Sequence, residues 1–147
     1  MFKKLCLIGV GLIGGSIAKA ARKHGIVDTI VAYGDKPYQD NLQQALGLGI
    51  IDSFSDDIVN VLCDADLVII ATPVGAIKDV AKILLPHWSD TCIYSDVGST
   101  KHSVVEALTS VFGQVPDNFV PAHPIAGAEK SGAYAANEDL FVDRKLI

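Results

Sequence analysis

Two stretches of this chain hold residues whose types and spacing could do chemistry. The first runs from Gly9 to Ser16, GVGLIGGS, with Gly9, Gly11 and Gly14 in G-x-G-x-x-G spacing. Between a strand and a helix, such glycines serve a dinucleotide. The first permits the tight turn, the second lets the backbone approach a pyrophosphate, and the third lets the helix pack closely on the sheet. The helix N-terminus that follows adds N–H donors and positive potential, and Leu12 and Ile13, within the loop, are further candidates to line the cofactor. The second stretch is Ala122 to Gly132, AHPIAGAEKSG, which sets His123 directly before Pro124 in a run of small residues. An imidazole accepts a proton near neutrality, so His123 reads either as an acid–base group or as a strand-end residue with no chemistry.

Short apolar runs alternate with amphipathic stretches along the whole chain, and these are the elements that must position the two sites. Residues 3–10 form an apolar run of strand length that ends at the glycines. Residues 14–25 follow as a helix, with Ser16 near its start and Gly25 as its stop. A second strand is expected at 28–34 and a helix at 37–49, opened by Pro37. Residues 49–52 give at most a stub of strand, and 55–65 a short helix with Ser55 as N-cap. Residues 66–73, DLVIIATP, are the most hydrophobic strand, without alternation, which indicates burial on both faces. A helix at 74–88, a strand at 91–98 and a helix at 99–113 capped by Ser99 or Thr100 come next. Residues 118–124 are a short strand, and 144–147 could begin another. Strands alternating with helices mean parallel βαβ units. The expected fold is therefore an α/β, Rossmann-type, doubly wound and mostly parallel sheet, with residues 1–147 as a single nucleotide-binding domain.

Composition limits the partners. The net charge is −5, so no global field favours nucleic acid or an anionic membrane. No segment approaches the ~18 apolar residues of a membrane span. The N-terminal run superficially resembles a signal peptide, but the glycines would weaken its helix. The three cysteines, Cys6, Cys63 and Cys92, sit in or beside apolar runs without a C-x-x-C pair and read as buried, reduced thiols of a cytoplasmic protein. No histidine shows metal-ligand spacing, so no metal is expected; His24 and His87 read as helix ends and His102 as helix surface.

Other candidates lie at the predicted strand ends, where ligands of open α/β sheets bind. Asp35 follows the second strand and suits the adenosine ribose hydroxyls, which favours NAD; Lys36 beside it leaves NADP possible. A solvated turn residue is the alternative for Asp35. Ala71, Thr72, Pro73 and Val74 would pass under the cofactor, or simply terminate a strand. Gly98 and Ser99, in SDVGSTK, open a helix on the same edge, where Ser99 could be a plain cap.

Taken together, GVGLIGGS, ATPVGAI, SDVGSTK and HPIAGAEKSG resemble, in this order and spacing, the nucleotide-binding half of the prephenate dehydrogenases, a family that includes the arogenate and cyclohexadienyl dehydrogenases of tyrosine biosynthesis. The resemblance spans essentially the whole chain. It implies an NAD-dependent oxidative decarboxylation of prephenate to 4-hydroxyphenylpyruvate, or of arogenate to tyrosine. His123 matches the family's catalytic histidine, which accepts a hydrogen bond from the substrate hydroxyl, and Ser99 the serine that bonds that hydroxyl. Glu129, with Lys130 and Ser131, falls where the family places an acidic residue near the substrate entrance. The family's C-terminal helical domain, which makes the homodimer and grips the substrate carboxylates, is absent from these residues. The isolated chain is thus expected to lack a complete substrate site. Two alternatives stand beside this one: a nucleotide-binding module without turnover, and another small-substrate NAD(P) dehydrogenase of hydroxyisobutyrate or reductoisomerase type, which would lack the HPIAG stretch.

Overall fold

The computed structural model describes residues 1–147. The elements in chain order are β1 (Phe2–Ile8), α1 (Leu12–Lys23), β2 (Val27–Tyr33), α2 (Gln39–Gly47), β3 (Ser53–Ser55), α3 (Ile58–Leu62), β4 (Leu67–Ile70), α4 (Ile77–Leu84), β5 (Ile93–Asp96), α5 (Lys101–Phe112) and β6 (Phe119–Val120). The strands form one sheet in the order β3-β2-β1-β4-β5-β6, every neighbouring pair parallel. This is the expected doubly wound architecture. Winding reverses between β1 and β4, so a crevice opens there at the carboxyl ends of the strands.

Both faces of the sheet are covered, which explains the unbroken apolar runs. Successive strand residues point to opposite faces. Leu5, Leu7, Ile30 and Ala32 pack with Ala18 and Ala21 of α1 and Leu42 and Ala45 of α2. Cys6, Ile8, Val68, Ile70 and Tyr94 pack instead with Ala81 and Leu84 of α4 and Val104 and Leu108 of α5. The start of the sheet is pinned by Asp66, whose carboxylate accepts the backbone N–H of Lys3 at 2.9 Å and of Lys4 at 2.8 Å. No helix is long and apolar enough to cross a membrane.

Several local expectations change. Residues 49–52 are a turn in which Ile50 and Ile51 are buried and β3 forms only afterwards; their hydrophobicity signals burial rather than pairing. Ser55 ends β3, and the N-cap of α3 is Asp57, which accepts the Val59 N–H at 2.9 Å. Ser55 serves the same corner differently, accepting the Asp57 N–H. Ser16 lies inside α1, not at its start, which begins at Leu12 with Gly11 as cap residue. Pro37 sits in a 3-10 turn, Lys36–Tyr38, that precedes α2. Cys6 and Cys92 are buried, whereas Cys63 is exposed at the C-terminus of α3, where the helix leaves the sheet. The last residues do pair, but antiparallel to the histidine segment: His123 N–H donates to Ile147 O at 2.7 Å and Ile147 N–H to His123 O at 3.0 Å.

Candidate active site

The glycine loop sits at the switch point, and each glycine has a separate reason to lack a side chain. Gly9 has φ +100°, and a Cβ there would stand 2.7 Å from the carbonyl oxygen of Ala71, the residue after β4. At Gly14 a Cβ would strike the Gly9 carbonyl and lie 2.9 Å from Ala71 Cβ, so this glycine sets how closely α1 approaches the sheet. Gly11 differs, because nothing lies within 4 Å of where its Cβ would be. No packing demands a glycine there; open space beside the backbone is what a closely approaching ligand needs. Gly11 caps α1 without a side-chain bond. Leu12 and Ile13, both half-buried, begin a helix whose first N–H groups therefore face the opening with positive potential.

Across the crevice, Ala71 and Thr72 continue from β4, with Pro73 exposed and Val74 entering a 3-10 turn. Thr72 Oγ1 is buried without a hydrogen-bond partner. Such an orphan is uncommon in a native fold and fits a site that a polar ligand completes. Asp35 stands exposed after β2, its side chain free. The hydroxyl of the neighbouring Tyr33 is pushed above its ordinary pKa by burial and then by the charges of Asp35 and Asp56. Asp35 and Asp56 thus place carboxylates near this end of the crevice, with the exposed Lys36 beside them.

The far end of the same edge is organised by a pair of residues whose role the sequence motifs did not assign. Asp96, the last residue of β5, is fully buried. Its carboxylate accepts the Gly98 N–H at 2.7 Å, the Ala122 N–H at 3.3 Å and the Lys101 ammonium. Lys101, at the start of α5, also donates to Ala122 O at 2.7 Å. Gly98 is buried, and a Cβ there would come within 2.9 Å of Asp96 Oδ2 and 3.0 Å of Val74 Cγ2, so the position admits no larger residue without a shift. The available sequence signal was a charge closing an apolar strand, with a lysine five residues on. Losing one partner of a buried pair leaves an uncompensated charge at a cost on the order of 3 kcal/mol.

His123 follows this junction, half-buried, its imidazole free of any hydrogen bond within the chain. Ser99 is exposed on the same sheet edge and is not bonded to His123. The cap residue of α5 is Thr100, and neither it nor Ser99 caps the helix through its side chain. Beyond His123 the chain crosses an exposed loop that carries Glu129, Lys130 and Ser131, none of them paired. The structure places these three after the histidine but joins them to no other site residue. The segment then returns to the nucleotide half through bonds that sequence did not foretell. Asn41 of α2 donates to Val10 O at 2.7 Å and accepts from Ala133 N–H at 2.9 Å. The buried Ser16 Oγ accepts from Asn137 N–H at 2.9 Å, and Lys19 donates to Ala136 O at 3.0 Å. A cleft of about 250 Å³ lies beside the junction, walled by Ile17, Ile69, Val97, Phe141 and Leu146; neither the glycine loop nor His123 lines it.

This geometry coincides with that of known proteins. Residues 17–147 match the prephenate dehydrogenase nucleotide-binding domain. The chain is 36% identical over 148 aligned residues to cyclohexadienyl dehydrogenase of Zymomonas mobilis, covering 100% of this chain and 49% of that protein. It superposes with a TM-score of 0.87 and 33% identity on the crystal structure of A. aeolicus prephenate dehydrogenase in complex with hydroxyphenyl propionate and NAD+, covering 99% of this chain and 50% of that one. Synechocystis arogenate dehydrogenase gives a TM-score of 0.83 at 29% identity, over 97% and 48% of the two chains. The chain thus spans about half the length of these proteins. A six-stranded sheet wound about a glycine loop, matched over most of its length by one domain profile, places this chain in the prephenate dehydrogenase family, as its nucleotide-binding domain.

Proposed function

We propose that this domain binds NAD across the carboxyl edge of the sheet and that the protein it belongs to oxidatively decarboxylates prephenate or arogenate in tyrosine biosynthesis. The observation that carries this reading is the placement of His123, with a free imidazole after β6, on the same edge as the uncapped N-terminus of α1. The residues present fit the cofactor: open space at Gly11, free N–H donors at Leu12 and Ile13, and the orphaned Thr72 Oγ1. In this reading α1 holds the diphosphate, Asp35 takes the adenosine ribose hydroxyls, and Ala71 to Val74 with Gly98 support the remainder. A carboxylate at Asp35 accepts from ribose hydroxyls and repels a further phosphate, which favours NAD over NADP. A bound nicotinamide supplies the hydride acceptor.

The chain's own contribution is proton management at the ring hydroxyl. His123 accepts the hydrogen bond from that hydroxyl and stabilises the positive charge that builds as hydride leaves the carbon bearing it. Ser99 bonds the same hydroxyl and fixes its direction. Loss of carbon dioxide from the ring then leaves an aromatic phenol. Glu129, Lys130 and Ser131 border the substrate's path. The groups that grip the substrate carboxylates, and the homodimer interface, lie in this reading outside the 147 residues, in a soluble cytoplasmic enzyme.

The test is His123→Asn in the protein as its gene encodes it. Turnover is expected to fall by ~10²-fold or more with NAD affinity unchanged. Near-normal turnover would remove His123 from the chemistry.

A further inference from the structure

The geometry points to the Asp96–Lys101 pair as the device that orients His123. Resting on the reading of His123 as the acid–base group, it assigns these two as positioning residues. The β6 ladder is two residues long and ends at Val120, whose carbonyl is held by Ser95 Oγ at 2.8 Å. Past that point no parallel neighbour steadies Pro121, Ala122 and His123. In place of a ladder, Ala122 is gripped on both of its backbone groups by the two charges of one pair: its N–H by Asp96 Oδ1 at 3.3 Å and its carbonyl by Lys101 Nζ at 2.7 Å. His123 itself is bonded on both backbone groups to Ile147, its N–H donating at 2.7 Å and its carbonyl accepting at 3.0 Å, and the Ile125 N–H donates to Lys145 O at 2.8 Å. The imidazole has no partner of its own, so its direction follows from its backbone, which the antiparallel contact holds on one strand side and the Asp96–Lys101 pair holds one residue before.

The pair buries one full charge, Asp96, against a Lys101 side chain that stays partly exposed. A buried ion pair contributes little net stability compared with apolar groups of the same shape, and it is best justified where it enforces one arrangement. Here the arrangement is three-way. Asp96 also takes the Gly98 N–H, so one carboxylate ties the end of β5, the turn carrying Ser99 and the segment carrying His123. Ser99 and His123 lie far apart in sequence, and they share no bond. Through Asp96 and Lys101 their backbones share one anchor.

Lys101→Met removes the grip on the Ala122 carbonyl and leaves Asp96 without its counter-charge. The decisive readout is the His123 ring signal in a proton–carbon NMR spectrum, assigned through His123→Asn. His24 and His87, on distant helix ends, serve as references. The expected result is that the His123 signal is displaced or broadened in Lys101→Met while the two references stay in place, and that Lys101→Arg, which keeps a cation and donors, restores it. Turnover of the protein as encoded should fall about 10²-fold, in kcat rather than in NAD affinity. A His123 signal unmoved by Lys101→Met, or displaced together with both references, would overturn the assignment. Because the ring signal needs no turnover, a displaced signal with unchanged turnover upholds the positioning and counts instead against the catalytic reading of His123. Should Lys101→Met not fold, Asp96→Asn, which keeps the shape and an acceptor, takes its place: a His123 signal displaced alone supports the positioning role, and one that is unmoved, or displaced with both references, overturns it.

Discussion

The two ends of the carboxyl edge are built by different means. At the β1–α1 end the site is made of backbone: Gly9 packs against Ala71 just past β4 and Gly14 against the Gly9 carbonyl and Ala71, so closely that no side chain fits, and Gly11 leaves space open. At the β5–β6 end it is made of side chains. A buried carboxylate and an ammonium hold Ala122, and the segment that follows it is tied back to the first end by side chains of α1 and α2, namely Ser16, Lys19 and Asn41. The first end depends on local conformation and close packing. The second depends on residues brought together from distant parts of the chain, and it is correspondingly easier to loosen without unfolding the sheet.

That contrast can be broken most severely at Gly14. Gly14→Val should drive α1 off the glycine loop and destabilise the fold by about 3 kcal/mol or more, since the nearest obstacle is the Gly9 backbone rather than a movable side chain. Urea unfolding reads this directly, and a stability near that of the unaltered chain would show that the helix can shift at little cost. The side-chain ties of the returning segment should respond more mildly. Asn41→Ala leaves the N–H of the buried Ala133 unpaired and should cost about 1–3 kcal/mol, whereas Ser16→Ala frees the N–H of the exposed Asn137, which can turn to water, and should cost about 1 kcal/mol or less. Amide exchange should accelerate at Asn137 or Ala133 while the β1 amides remain protected. Loss of protection across β1 as well would mean that the two ends are one cooperative unit.

The smaller effects concern what the halves share. Burial raises the thiol of Cys6, on β1, to about 12 and that of Cys92, just before β5, to about 11. Unfolded thiols ionise near 9, so the folded chain holds these protons longer than the unfolded one. Their contribution is complete below pH ~9 and declines as pH rises towards the folded values, on the order of 1 kcal/mol per pH unit for each thiol. Thermal unfolding measured from pH 8 to 10.5 should therefore show stability falling only above about pH 9. In the native chain at neutral pH, only the exposed Cys63 should react with a thiol reagent. Rapid reaction of a second thiol would contradict the tight core beneath either end.

The same division explains what could be read from sequence. The strands, the winding and the glycine loop were legible because each depends on neighbours within a few residues: apolar runs, glycine spacing, helix stops. Ile50 and Ile51 misled because hydrophobicity reports burial without reporting pairing. Ser55 misled because Asp57, two residues on, was the better placed acceptor. Asp96 was visible as a charge closing an apolar strand, yet its partner at Ala122 lies across a whole helix and turn. Nothing local to Asn41 or Ser16 announces Ala133 or Asn137, which lie about a hundred residues away in the chain. Side-chain bonds over such distances exist only once the fold exists.

The central claim is that the open space at Gly11, at the mouth of α1, is where NAD lies. Calorimetric titration of the chain and of Gly11→Val with NAD tests it most directly, because the absence of neighbours around that Cβ position means the substitution should leave the fold intact. Saturable one-site binding of NAD to the unaltered chain is expected, with weaker binding of NADP and no detectable NAD binding to a Gly11→Val chain that unfolds at the same urea concentration. Equal NAD affinity in the two chains, or none in either, would contradict it.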